Sequence, residues 1–169
     1  GMAEVIKYGV INDPLLFKLL EEGKNISSFN EIDRDLLNKI IERSTSSKAK
    51  IVSLDEMESG LREILNYGHT FGHVIETLCG YGTWLHGEAV SIGMIAAGKL
   101  ALMRNLWNQA DFDRQKSLII KAGLPTKWPS LNTEDVIRTL KGDKKVKDGS
   151  IRFIIPNGIG NVEIIENIT

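Results

Sequence analysis

The stretch LNYGHTFGHVIE, residues 65–76, sets two histidines four residues apart within a run of helical periodicity. Extended backwards, it places Arg62, Asn66, His69 and His73 at relative positions 0, 4, 7 and 11. On an uninterrupted helix, with about 100° per residue, these four fall within an arc of roughly 60°. A helix over residues 59–78 would therefore collect two imidazoles, an amide and a guanidinium on one face. A solvated face usually favours Lys and Glu, so this choice of side chains points to chemistry. Gly68 and Gly72 flank His69 although each glycine costs about 1 kcal/mol against alanine inside a helix. They imply close approach of a ligand or of another backbone.

Working outward, helical signals dominate. Residues 4–11 read as a short helix, and residues 14–22 as another, with Asp13 as cap, Pro14 in the first turn and Gly23 beyond the end. Residues 33–43 place Leu36, Leu37, Ile40 and Ile41 on one stripe. After Gly80-Tyr81-Gly82, His86-Gly87-Glu88 opens a helix reaching about residue 104. Its apolar part, residues 89–103, is shorter than the roughly 20 residues that span a bilayer and is interrupted by Gly93, Gly98 and Lys99, so it reads as a buried core helix. Helices over residues 111–122 and 133–140 follow. Only residues 151–155 and 161–165 alternate as strands, joined by a turn at 156–160. The expected fold is mainly α, one domain over residues 1–169, with a small β-hairpin near the C-terminus.

Composition narrows the function. The chain has 169 residues, 42% hydrophobic and 25% charged, with 21 basic and 22 acidic side chains and a net charge of −1. No global field draws it to nucleic acid or to an anionic membrane, so any anion site is local. A single cysteine, Cys79, rules out an internal disulfide, reads as a small buried apolar residue, and with no visible secretory segment suits a reducing, cytoplasmic setting. No GxGxxG sequence in a βαβ setting is present, so a dinucleotide would have to be bound elsewhere.

The spacing of His69 and His73 is that of the HExxH zinc hydrolases, but Thr70 stands where those enzymes need a glutamate base. His86, at the start of the next helix, comes beside His69 or His73 if the two helices pair antiparallel. Two histidines, a carboxylate and an open position make a catalytic zinc site. Glu4 and Glu88 are the first candidates for the carboxylate, with Asp55, Glu56 and Glu58 behind them, and the residues alone do not choose. Glu88 has a competing role as a first-turn acid that stabilises its helix dipole. Lys7, Lys48, Arg62, Lys144 and Lys145 are cations able to clamp a phosphate or carboxylate if they converge on such a site. A lysine pair in a turn can equally be a solvated surface feature.

Four runs in order, GMAEVIKYG, KAKIVSLDEMESGLREILNYGHTFGHVIE, GYGTWLHGEAVSIGM and GDKKVKDGSIRFIIPNGIG, resemble the C-terminal helical half of 3-dehydroquinate synthases. The resemblance implies that the N-terminal α/β domain that binds NAD is absent from this chain, which would then be a portion of a longer protein. It implies Glu4, His69 and His86 as zinc ligands. It also implies Lys7, Lys48, Arg62, Asn66 and His73 as residues that bind substrate or move protons, and a lysine of the DKK motif, Lys144 or Lys145, at the same site. The implied reaction converts 3-deoxy-D-arabino-heptulosonate 7-phosphate to 3-dehydroquinate and phosphate with zinc and catalytic NAD, in an enzyme that is generally a homodimer. The isolated chain is expected to be inactive. The competing readings are another sugar phosphate cyclase, a metal-dependent polyol dehydrogenase, and a helical module without catalysis.

Overall fold

Helix α5, His86–Met103, is the element on which the others are laid. It is apolar on all sides, and ten of its residues, from Ala89 to Ala101, are buried, as expected of a helix surrounded by others. The computed structural model describes residues 1–55, 60–142 and 151–166. Around α5 lie α1 (Met2–Ile11), α4 (His69–Cys79), α6 (Gln109–Lys121) and the first strand of a hairpin, β1 (Arg152–Gly158). Helices α2 (Pro14–Glu22) and α3 (Arg34–Leu54) pack on α1, and α7 (Thr133–Gly142) packs on α4. Strand β2 (Asn161–Glu166) pairs antiparallel with β1, Arg152 opposite Glu166 and Ile154 opposite Ile164. The mainly α architecture with a terminal hairpin is the one read from the sequence.

Local chemistry sets the helix ends. Asp13 caps α2 by accepting the Leu16 N–H at 2.9 Å, and its carboxylate is gripped by Arg43 of α3 through Nε at 2.9 Å and Nη2 at 2.6 Å. Burial works against ionising this carboxyl, but the Arg43 guanidinium and the Leu16 amide hold it below the usual carboxylate range. Helix α3 runs 11 residues past the Arg43 end expected from its periodicity. The Ser/Thr tract continues it because Ser47 and Ile51 are buried, and Thr45 is accommodated by turning its hydroxyl back to the Ile41 carbonyl at 2.7 Å. The hairpin turn is tighter than expected, since β1 extends to Gly158. Gly160, at φ 91°, donates its N–H to the Val10 carbonyl at 2.9 Å and abuts Pro14, which docks the hairpin tip on α1 and α2.

The expected continuous helix over residues 59–78 does not form. A 3-10 helix, Leu61–Asn66, ends at Tyr67, and α4 begins after Gly68, which has φ 80°. Arg62 and Asn66 therefore do not share a helical face with His69 and His73. Tertiary packing overrides the periodicity: Tyr67 is completely buried, and its hydroxyl donates to Gln115 Oε1 at 2.7 Å. Drawing that ring into the core requires a break at Gly68.

Close approach of α4 and α5 explains the glycines. A Cβ on Gly68 would lie 2.9 Å from the Val90 carbonyl oxygen, and one on Gly72 would lie 3.3 Å from the backbone of Ala89. From the other side, a Cβ on Gly93 would overlap the Gly68 carbonyl oxygen and sit 2.9 Å from the Gly72 nitrogen. These neighbours run in opposite order along the two helices, so the pair is antiparallel. Cys79 is half-buried rather than fully buried, and packs at the edge of a small cluster with Ile75, Ala89 and Ile92.

Gly93→Ala should lower the unfolding free energy by about 3 kcal/mol or more, because backbone rather than a flexible side chain must move. Gly87→Ala, whose Cβ meets only Ala3 at 3.6 Å, should change it by less than about 1 kcal/mol. Urea unfolding of the two variants checks this, and equal effects would contradict the packing argument.

Candidate metal centre

The crossing of α4 on α5 leaves the His69 ring, at the start of α4, within 5.3 Å of the His86 ring, centroid to centroid. Helix α1 crosses the same end of α5 and brings in Glu4, whose Oε1 is 3.6 Å from His69 Nε2. One ligand atom from each of Glu4, His69 and His86 lies within 4.8 Å of the others, a separation that one cation can bridge. Among the described residues this is the group of three with ligand geometry. Glu4 Oε1 is buried and has no hydrogen-bond partner. A buried carboxylate oxygen left unsatisfied is costly, and a cation beside His69 would satisfy it. The donor set of two imidazoles and one carboxylate suits zinc and leaves a coordination position for substrate. On these observations the residues fit a divalent metal.

Proton states favour ligation. Burial, followed by the Lys7 ammonium, lowers the His69 pKa to about 4, so its imidazole is neutral at physiological pH. Its Nδ1 lies 3.2 Å from the Tyr67 carbonyl. With the hydrogen on Nδ1 donated there, the lone pair is on Nε2, the atom that faces Glu4. Lys7, one turn after Glu4, is 3% exposed and donates to Glu4 Oε2 at 2.6 Å. Burial pushes the Lys7 ammonium below its ordinary value, the Glu4 hydrogen bond resists, and the charge of Lys48 on α3 adds to the lowering. Lys48 itself is exposed.

His73 lies one turn beyond His69, with ring centroids 6.0 Å apart. Arg62 and Asn66 sit on the 3-10 helix that leads into His69, and that segment packs on α1, α3 and both strands. Asp55 is buried and fixes this segment by accepting the N–H groups of Gly60 at 3.0 Å and Arg62 at 2.8 Å. Arg152 of β1 reaches Glu63 of the same segment at 2.6 Å. Of the alternative carboxylates, Glu88 serves its own helix, its Oε2 accepting the Leu85 N–H at 2.9 Å. Lys144, Lys145, Glu56 and Glu58 lie outside the described residues. A separate groove of about 340 Å³, lined by Phe71, Ile92, Ile95, Leu100 and Trp128 among others, is apolar and contains none of the three clustered residues.

Sequence reasoning overlooked Asp55 as a brace and Glu76, whose Oε1 is 3.0 Å from His86 Nδ1. Glu76 follows His69 by seven residues, two turns along one helix face, which is the signal that was available.

The family model for the C-terminal part of 3-dehydroquinate synthase matches residues 1–146. The 3-dehydroquinate synthase of Prochlorococcus marinus strain MIT 9303 is 64% identical over all 169 residues, and that of Synechococcus sp. strain CC9605 is 55% identical. The chain spans about half the length of these relatives, 45% and 46%. The 2-epi-5-epi-valiolone synthase of Streptomyces hygroscopicus, solved with NAD+ and Zn2+ bound, superimposes with a TM-score of 0.87 at 26% identity, covering 99% of this chain and 46% of that one. A 2-deoxy-scyllo-inosose synthase complexed with carbaglucose-6-phosphate, NAD+ and Co2+ gives 0.76 at 26% identity, covering 98% of this chain and 48% of that one. With a family model matched over most of its length and relatives this similar along all of it, the chain belongs to the 3-dehydroquinate synthase C-terminal family.

Proposed function

We propose that this chain is the metal- and substrate-binding part of a 3-dehydroquinate synthase, an enzyme of aromatic amino acid biosynthesis by the shikimate route. It would convert 3-deoxy-D-arabino-heptulosonate 7-phosphate to 3-dehydroquinate and inorganic phosphate, acting as a carbon–oxygen lyase. The convergence of Glu4, His69 and His86 beside the buried Lys7 carries the reading. Identity of 64% to a 3-dehydroquinate synthase, against 26% to the valiolone and inosose cyclases, favours this ring closure over theirs. The family's NAD-binding domain would lie outside these residues, and the working enzyme would be a homodimer.

Glu4, His69 and His86 would hold the metal. When bound, the metal supplies Lewis acidity to the substrate's vicinal hydroxyls, and NAD a reversible hydride acceptor for C4, which acidifies the neighbouring C5 proton. His73 would move protons around the elimination that expels phosphate. Lys7, Lys48, Arg62 and one of Lys144 or Lys145 supply positive charge for the substrate's carboxylate and phosphate, and Asn66 supplies an amide for its hydroxyls. Because the whole chain carries a net charge of only −1, these local cations, not a global field, would hold the dianionic end. The brace from Asp55 to the Arg62 amide keeps the 3-10 segment in place for that task.

Three outcomes test this reading. The purified protein should bind one equivalent of zinc, and His69→Ala should bind none at the same concentrations; equal zinc content by metal analysis rejects the site. The 169 residues alone, with zinc and NAD, should release no phosphate from the heptulosonate phosphate above background, whereas the chain joined to a family NAD-binding domain should turn it over. Phosphate release by the isolated chain at the joined enzyme's rate contradicts the division of labour.

The third outcome concerns pH. His69 has a folded pKa of about 4, below the ordinary 6.5, so the unfolded chain takes the proton more readily. The metal-free protein should have this contribution in full above about pH 6.5 and lose it as pH falls toward 4, by at most about 3 kcal/mol. His69→Gln should flatten that part of the stability profile, and an unchanged slope in denaturant titrations across the window contradicts the buried neutral imidazole.

A further inference from the structure

Glu76 reaches from α4 to α5 and places Oε1 3.0 Å from Nδ1 of His86. Its side chain is 16% exposed, whereas that of His86 is 53% exposed. An ionised carboxylate can only accept, so the contact requires the hydrogen of His86 to be on Nδ1. The lone pair of the neutral ring is then on Nε2. The Tyr67 carbonyl imposes the same tautomer on His69. His69 is held by burial as well, but a half-exposed imidazole at the first position of a helix has little else to fix its rotamer or its tautomer. A metal binding to a freely turning ring must order it first, and that cost is subtracted from affinity.

We propose that Glu76 is a positioning residue for the metal centre: its carboxylate locks His86 in the Nδ1–H tautomer and aims Nε2 at the cation bound by Glu4 and His69. Glu76 is not among the three residues whose ligand atoms cluster, so it acts through His86 rather than on the metal. A carboxylate hydrogen-bonded behind a ligating imidazole strengthens the metal–nitrogen bond. The inference rests on the metal-binding reading of Glu4, His69 and His86. A mere surface ion pair would leave metal affinity untouched.

Zinc titrations against a competing chelator, on the wild-type protein and on Glu76→Gln, Glu76→Ala and His69→Ala variants, separate these cases. The wild type should bind one equivalent, and Glu76→Ala should still bind one but about 10- to 100-fold more weakly. Glu76→Gln should fall between them, since its amide oxygen accepts the Nδ1 hydrogen without supplying charge. In the metal-free proteins, ¹⁵N spectra of the histidine rings should show His86 protonated on Nδ1 in the wild type and a mixture of tautomers in Glu76→Ala. If Glu76→Ala does not fold, Glu76→Gln alone decides. Affinities within about two-fold of wild type, with unchanged imidazole signals, overturn the role of Glu76 and leave the metal centre standing. Absence of zinc binding by the wild type, or binding that survives His69→Ala, overturns the metal reading itself.

Discussion

The backbone of α5 at Gly93 lies against the backbone of α4 at Gly68 and Gly72, with no room for a Cβ between them, and the site depends on that contact. Side chains of ordinary size would hold the two helices 8–10 Å apart. With glycine at all three positions the axes can close, and the imidazoles of His69 and His86, 17 residues apart in sequence, come into one cluster. Gly68 has a second job at the same point. Its positive φ ends the 3-10 segment and turns the chain into α4, so the residue that permits close packing also starts the helix at His69. A substitution there would disturb fold and ligand geometry together.

Electrostatics completes what packing begins. Burial keeps His69 neutral and presses on Lys7, while Lys7 and His69 both lean on the single carboxylate of Glu4. One oxygen of that carboxylate is satisfied by Lys7, and the other is buried without a hydrogen-bond partner. Such an arrangement is poorly compensated by protein atoms alone and well compensated by a cation. The surroundings are braced at a distance by ion pairs and caps, Asp13 with Arg43, Asp55 with the 3-10 segment, and Arg152 with Glu63, none of which belongs to the clustered ligands. Rigid support of this kind is what a site needs if its groups are to meet a substrate without reorganising.

Much of this was legible in the residues. Asp13-Pro14 and Gly23 marked α2 correctly because capping is local chemistry, and the all-round apolar character of α5 identified the central helix. The carboxylate was not legible. Glu4 lies 65 residues before His69, and only tertiary packing of α1 brings it there, whereas Glu88, nearer in sequence, turns its oxygen to the Leu85 amide. The resemblance to a known family supplied Glu4 where spacing could not. The single-face argument for Arg62, Asn66, His69 and His73 failed for a related reason. Periodicity assumes an unbroken helix, and the burial of Tyr67 against Gln115 of α6 breaks it. His69 and His73 kept their relation because both lie within α4.

The central claim is that a close glycine contact assembles a two-histidine, one-carboxylate metal centre from α1, α4 and α5. X-ray absorption at the zinc edge of the metal-loaded protein tests it most directly. The account predicts two imidazole nitrogens at about 2.0–2.1 Å with one or more light oxygen scatterers. A first shell with sulfur at about 2.3 Å, or one without the multiple-scattering signature of imidazole, would contradict it.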